Sequence, residues 1–377
     1  MAKLIFLKIN RGNFKDGFDV TLQISRGEGK PLSTGIDYQL PQTSTDIPEI
    51  YNKLQKNYSY LRRCLQHRKS ERLGARISGS EQELRENCRS SYKNLIKELQ
   101  SWLFQYECIE YRKLKEKLIQ ELADSQGREE EVRFFIQTND DLLNRLPWHE
   151  WDIFIVSKTK CEVAISPPNF DQVQRVKISP KSTMRILAIF GDSTGLNLEK
   201  ERVYLEESFQ EAEVRFLLEP SREMISNVLG YEDWDILFFA GHSDSEDAKG
   251  KIYTRTNPRE YLTIENLKPV LRDAIERGLK LAIFNSCDGL QLAYDLAELH
   301  IPQLIVMREP VPDEVTQRFL LHFLKAFTEK QESLYQAVAK ARRQLQTEGL
   351  EDKFPGAASM PIICQNPALV WPTPISQ

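Results

Sequence analysis

From residue 185 to residue 327 the sequence alternates between short apolar runs and amphipathic stretches, and this constrains the fold more than any other feature of the chain. The apolar runs are Arg185–Phe190, Val214–Leu218, Asp235–Ala240, Lys280–Phe284 and Gln303–Met307. Helical spacing fills the intervals at Glu199–Phe209, Arg222–Leu229, Ile264–Glu276 and Leu290–Leu299, and again after the last run at Val315–Phe327. Strands that are apolar on both faces, separated by helices, predict a mostly parallel sheet with helices on both faces. In open α/β sheets ligands sit outside the carboxyl ends of the strands. The search for chemistry therefore narrows to the residue or two after each run.

The first part of the chain reads differently. Lys3–Ile9 and Phe18–Ile24 predict a hairpin. Helical spacing follows at Ile47–Gln66, Glu81–Tyr106 and Tyr111–Leu122, then a strand at Glu131–Gln137 and an aromatic-rich helix or turn at Leu142–Trp151. Ser166–Thr183, with Pro167, Pro168 and Pro180, is the best linker. The expected organisation is an α+β N-terminal domain over 1–130, with a regulatory or partner-binding role. A strand-containing segment and linker over 131–180 would follow, and an α/β domain over 181–377. The charge supports a division. Residues 1–180 carry 29 Lys and Arg against 25 Asp and Glu, and residues 181–377 carry 22 against 30, so the units differ in sign.

Several classes are excluded. No window approaches the ~18 uninterrupted apolar residues of a membrane span. The apolar stretch after Met1 is too short for a signal peptide, which makes the cytoplasm the expected location. The six cysteines show no C-x-x-C pair and no histidine at zinc spacing, so no metal and no disulfide framework is expected. No glycine-rich phosphate loop follows a strand, and no cofactor is expected. Lys53–Lys97 holds twelve Lys and Arg against four acidic residues. Such a run is more often a solvated face than a nucleic-acid site. Trp148 and Trp151 read as core aromatics.

Two run ends stand out. Asp235–Ala240 leads into Gly241-His242-Ser243, and Lys280–Phe284 into Asn285-Ser286-Cys287-Asp288-Gly289. A right-handed crossover sets consecutive parallel strands side by side, which brings His242 and Cys287 to one rim. A thiol is a few per cent ionised at neutral pH, and an adjacent imidazole raises that fraction and can later protonate a leaving amine. The opening of a helix after Cys287 favours both the thiolate and an oxyanion. The bland alternative is a capped turn and a buried thiol. A rival nucleophile is Ser193, in the literal G-x-S-x-G of Gly191–Gly195, which requires a tight strand-turn-helix and a later histidine, His300 or His322.

Ile236–Ser243 followed by Ala282–Gly289 resembles the CHAT domain, a caspase-like branch of the clan CD cysteine peptidases. Ile301–Asp313 and Leu146–Trp151 resemble its cyanobacterial branch, and the likeness extends over roughly 131–371. The resemblance implies a caspase-like fold and a cysteine endopeptidase acting on protein or peptide substrates. By it, Cys287 is the nucleophile, His242 the general base and acid, and the backbone N–H groups of Ser243 and Cys287 the oxyanion hole. Ser243 stands where caspase relatives usually have Gly, and Asn285 where metacaspases have Asp. The family also contains inactive pseudo-caspase-like units, to which 131–180 could belong. It implies an activating partner or an associated sensor domain as well. A catalytically silent CHAT-like scaffold is the alternative reading. Asp288, Glu309 and Asp313, with Asp244, Glu246 and Asp247, predict an acidic, substrate-binding rim and cleavage after Arg or Lys. The long polar stretch Ser243–Tyr261 is either a gating loop or a hairpin around Lys251–Thr254.

Overall fold

The structure of the chain, a computed structural model, describes residues 2–26, 33–67, 80–105, 107–157, 160–166, 183–194, 196, 198–244, 250–255, 260–286, 293, 296 and 301–366. The chain divides into two compact units, 1–59 with 79–168 and 60–78 with 169–377.

The first unit is built on a mixed sheet. Strand β1 (Ala2–Asn13) pairs antiparallel with β2 (Gly17–Ser25), and β2 pairs antiparallel with β3 (Ile36–Leu40). On its other side β1 runs parallel to β4 (Glu131–Gln137), and β4 parallel to β5 (Cys161–Ser166), with the short helices α4 (Asp141–Arg145) and α5 (Asp152–Ser157) between the two. The return from β3 to β4 is made by helices α1 (Ile47–His67), α2 (Glu81–Leu103) and α3 (Ile109–Gly127). Parallel strands need such a crossover, because a tight turn cannot reverse the chain twice. Trp148 and Trp151 are fully buried, as expected of core aromatics, and so is Trp102. Two of these indoles find carbonyl partners, Trp102 Nε1 at 2.6 Å from Pro41 O and Trp148 Nε1 at 2.6 Å from Leu143 O.

A buried charge pair ties this sheet to α3. Lys3, on β1, and Glu121, on α3, are 1% and 2% exposed, with Nζ 2.9 Å from Oε2 and 2.7 Å from the Glu121 carbonyl. Arg26 and Lys117 approach the same carboxylate at 3.2 and 2.9 Å. Burial works against the charge of Glu121, but the hydrogen bonds and fields of Lys117 and Lys3 outweigh it and hold the carboxyl at about 2.

The second unit carries the predicted parallel sheet. Its strands are β6 (Arg185–Phe190), β7 (Glu213–Leu218), β8 (Ile236–Gly241), β12 (Leu281–Ser286), β13 (Gln303–Met307) and β14 (Pro361–Gln365). They are ordered β14-β13-β12-β8-β6-β7, all parallel except β14, which runs antiparallel to β13. Every residue of β8 and β13 is buried, which is why neither shows an alternating pattern. Helices α6 (Glu199–Ser208), α7 (Arg222–Tyr231) and α8 (Ile264–Glu276) lie between the strands at the predicted places. Local chemistry marks their starts: Ser221 accepts from Met224 N–H, and Thr263 and Asn266 form a reciprocal capping box. Between β8 and α8 the strands β9 (Ser243–Asp244), β10 (Lys251–Arg255) and β11 (Glu260–Thr263) form a small antiparallel sheet. Of the two readings of Ser243–Tyr261, the described residues show the hairpin. The predicted helix Leu290–Leu299 lies outside the described residues except for Ala293 and Leu296, both helical and buried.

Removing one partner of a buried pair leaves the other charge uncompensated. Lys3→Met is expected to lower the unfolding free energy by about 3–5 kcal/mol in chemical denaturation at pH 7. A loss below 1 kcal/mol would show that Arg26 and Lys117 suffice.

Candidate active site

The carboxyl ends of β6, β8 and β12 lie side by side. In the β8–β12 register Gly241 is opposite Ser286 and Ala240 opposite Asn285. His242 follows directly on Gly241, and Cys287 follows Ser286 in the sequence. Cys287 and Asp288 themselves lie outside the described residues.

His242 is held from three sides. Its backbone N–H donates to Asp192 O at 3.2 Å, and its carbonyl accepts from Tyr253 N–H at 2.9 Å. Its ring Nε2 lies 2.8 Å from Thr194 O. A carbonyl oxygen can only accept, so Nε2 carries the proton and Nδ1 is the basic nitrogen of the neutral ring. Thr194 is fixed in turn by Asp192, which is 3% exposed. Asp192 Oδ1 accepts from Thr194 N–H at 2.9 Å and from its hydroxyl at 2.6 Å. Asp192 and Thr194 thus orient the imidazole, a role the sequence reading did not assign them. The signal was present, since an Asp two residues before a Thr closes a local side-chain turn.

Glycine is required at two points here. Gly191 passes so close to β10 that a Cβ would lie 2.2 Å from Tyr253 O. Gly241 has φ +151°, and a Cβ there would meet Gly191 backbone atoms at 3.2–3.3 Å. The pattern Gly191–Gly195 therefore begins with a packing glycine. The segment also fails as a serine elbow, because α6 starts only at Glu199, nine residues after β6 ends. Of the candidate partners for Ser193, His322 pairs with Glu348 at 2.9 Å, and His300 lies outside the described residues.

The other candidates are placed as follows. Ser243 opens β9 opposite Ile252 and is buried. Glu309 is buried just beyond β13, and Asp313 opens the helix Asp313–Leu324. Asp313 acts on a residue that sequence reasoning missed, Glu201 of α6. Glu201 is 2% exposed, and its carboxylate oxygens lie 3.5 Å from Asn285 Nδ2 and 3.4 Å from Gln317 Nε2. Burial, reinforced by the field of Asp313, raises its carboxyl to about 7.

Three of the remaining thiols suit a passive role. Burial pushes Cys88 and Cys364 up to about 12, and burial also raises Cys161, aided by the fields of Glu162 and Glu131. Among the described residues no group of His, Cys, Asp or Glu is arranged to hold a metal ion, and no helix is long and apolar enough to cross a membrane. On the basic stretch, Arg85 and Arg89 are engaged by Glu81 and Glu86 of the same helix. Arg68, Lys69, Arg72 and Arg76 lie outside the described residues.

Residues 109–368 match the CHAT domain family. No curated protein matches the sequence. Among solved structures, a chain of the Saccharomyces cerevisiae separase–securin complex superposes with a TM-score of 0.54 at 10% identity. The match covers 96% of this chain but only 30% of that one, so this chain spans less than a third of its length. Gingipain R, described as an Arg-specific cysteine proteinase, superposes with a TM-score of 0.44 at 8% identity, covering 70% of this chain and 69% of that one. The fold is that of the caspase-like cysteine peptidases.

Two outcomes follow from this geometry. Gly191→Ala must displace Tyr253 and, through it, His242, and overpacking of this kind costs about 1–3 kcal/mol. Thermal unfolding should fall accordingly, and the His242 ring resonances in NMR should shift. A variant with wild-type melting and unshifted resonances would count against the packing role. The second outcome concerns pH. A carboxyl raised in the folded state stabilises the fold below its unfolded value near 4.5, and that stability is lost as pH rises through about 7. Relative to Glu201→Gln, the wild-type chain should lose about 2–3 kcal/mol between pH 4.5 and 8, measured by denaturant titration. Parallel stability curves for the two proteins would contradict it.

Proposed function

The chain belongs to the CHAT-domain family, and from that premise we propose that it is a cysteine endopeptidase with Cys287 as nucleophile and His242 as general base and acid. One observation carries the reading most directly. His242 ends the strand beside the one that leads into Cys287, with Nε2 committed to Thr194 O and Nδ1 left as its basic nitrogen. A histidine serving only as a structural link would not need the fixed tautomer that Asp192 and Thr194 impose.

In this reading Nδ1 of His242 takes the Cys287 thiol proton, and the thiolate attacks the scissile carbonyl carbon. The carbonyl π pair moves to oxygen, and backbone N–H groups stabilise the oxyanion. The backbone N–H groups of Ser243 and Cys287 fill that role. The tetrahedral intermediate collapses with transfer of the His242 proton to the leaving amine, which leaves a thioester. Water, deprotonated by Nδ1, then hydrolyses the thioester and restores the thiol. Thr194 O stabilises the transient imidazolium by accepting from Nε2–H throughout. Asp288 and Asp313 stand on the substrate side of the rim in this scheme, whereas Glu309, expected there too, is buried and cannot face a substrate from the surface. The N-terminal region, residues 1–130, serves regulation or partner binding. The solved separase structure holds securin as a partner protein, and control of this chain by a partner protein belongs to the same proposal.

The test uses the full chain. Iodoacetamide at pH 6.5 should label Cys287 well before Cys88, Cys161 or Cys364. Cys287→Ala should abolish cleavage of a peptide library read by mass spectrometry. His242→Ala should cost on the order of 10²–10⁴-fold and slow the alkylation. Ser193→Ala should stay within a few-fold of wild type. Cleavage that survives Cys287→Ala in a contaminant-free preparation overturns the assignment. A Cys287 no more reactive than the buried thiols would favour the silent scaffold.

A further inference from the structure

One edge of the second unit's sheet is open. β7 ends the strand order, and among the described residues no strand lies on its outer side. Its parallel register with β6 is unbroken from Arg185–Glu213 to Phe190–Leu218. The N–H of Glu213 donates to Met184 O at 2.8 Å, and that of Glu219 to Phe190 O at 2.7 Å. Bonds in a parallel ladder are evenly spaced, so alternate residues turn both backbone groups to the same neighbour. Glu213, Arg215 and Leu217 therefore serve β6. Val214, Phe216 and Leu218 each turn an N–H and a C=O outward. Such a row is a template for another strand.

Charged side chains commonly guard an edge of this kind. In β7 they are committed elsewhere. Glu213 pairs with Arg185 at 2.9 Å, and Arg215 pairs with Glu232. Side chains alternate between the faces of a strand, so the residues with outward backbone groups also share one face, and all three are apolar. Phe216 is covered there by the Arg202 guanidinium at 5.4 Å and by Phe190 at 5.9 Å. Leu218 is left 62% exposed. Tyr231, next to the Glu232 that holds Arg215, is 86% exposed. The edge is thus apolar where a solvated edge would be charged.

The strand is also its own complement. Antiparallel pairing about a two-fold axis at Phe216 sets Phe216 against Phe216 of the partner subunit, and Val214 against Leu218 of the partner subunit. Every outward N–H then meets a C=O, and every apolar side chain an apolar one. Neighbouring registers lose this match. A shift of two residues one way sets Val214 opposite a proline, Pro220, which has no N–H to donate. The opposite shift sets Leu218 opposite Ala212, which lies outside the strand. A shift of one sets outward groups against residues that face β6. We infer that β7 joins two copies of this chain, antiparallel about Phe216, into one continuous sheet. The carboxyl ends of the two β8 strands then point in opposite directions, so the His242 rim of each copy stays open. The dimer is independent of the peptidase reading.

Sedimentation equilibrium of the full chain tests the association. It should show a reversible monomer–dimer equilibrium, with a dissociation constant on the order of 10 µM for so narrow an interface. Leu218→Lys puts a guarding charge on an exposed edge position, and should weaken the dimer at least about 10-fold with the melting temperature unchanged. The register is read separately. Hydrogen-bonded antiparallel pairs hold their Cα atoms about 5.5 Å apart, within reach of a disulfide. Under oxidised glutathione, Val214→Cys and Leu218→Cys chains mixed in equal amounts should cross-link several-fold faster than either variant alone. Mass spectrometry should find the disulfide between positions 214 and 218. If Leu218→Lys fails to fold, the cysteine mixture decides by itself. A wild-type chain that sediments as a monomer at concentrations on the order of 100 µM overturns the inference and leaves the edge to a different partner. So does a dimer undiminished by Leu218→Lys in a variant that melts like its parent. Cross-linking of each cysteine variant with itself as fast as in the mixture also overturns it.

Discussion

The second unit is organised around one hydrogen bond, from His242 Nε2 to the carbonyl of Thr194. A histidine at the end of a buried strand has two nitrogens and several rotamers, and only a fixed acceptor decides which nitrogen is basic. The acceptor is fixed because Asp192 clamps Thr194 from below and also receives the His242 backbone N–H. That clamp closes only if β6 and β10 approach within contact distance, and the absence of a side chain at Gly191 permits it. Strand packing, one glycine and one aspartate therefore set the protonation chemistry of a residue on another strand.

Two buried glutamates show how environment decides what a carboxyl does. Glu121 sits among three cations and is held at about 2, so it is a fixed negative charge that binds α3 to β1. Glu201 sits among amides and another acid and is raised to about 7, so its charge is conditional. The first arrangement is closed, because every strong acceptor has a donor. The second is open, with an orphaned amide oxygen beside it. A fully satisfied buried network rigidifies a fold, whereas a partly satisfied one leaves a buried acceptor without its hydrogen bond. The open one lies in the unit that holds His242, two residues before Cys287 in the chain.

Much of the architecture was legible in the residues. Strands apolar on both faces can be satisfied only by cover on both sides, so Arg185–Phe190 and Gln303–Met307 were recognisable to the residue. Other strands hid for identifiable reasons. β14 begins with Pro361, and proline argues against a strand unless it occupies the first position, as here. β5 is six residues long, contains Glu162 and is followed at once by Pro167-Pro168. β3 carries mostly exposed residues at the edge of its sheet, so it shows little apolar signal. The helix Leu334–Thr347 buries Leu334, Val338, Ala341 and Leu345 along one face, but the apolar run after it opens with Pro361, so neither was read as part of the alternation.

By itself, the sequence determined the alternation of strands and helices, the ends at which His242 and Cys287 stand, and the family motifs around them. These are local properties, readable wherever burial imposes a period or a glycine marks a turn. Only the tertiary structure decided which nitrogen of His242 is basic, that Asp192 and Thr194 orient it, and that Glu201 of one helix meets Asn285 of a strand 84 residues away. Such pairings depend on long-range proximity and on a low local dielectric, in which a partner gained or lost changes a charge state. Neither quantity is carried by any short stretch of residues.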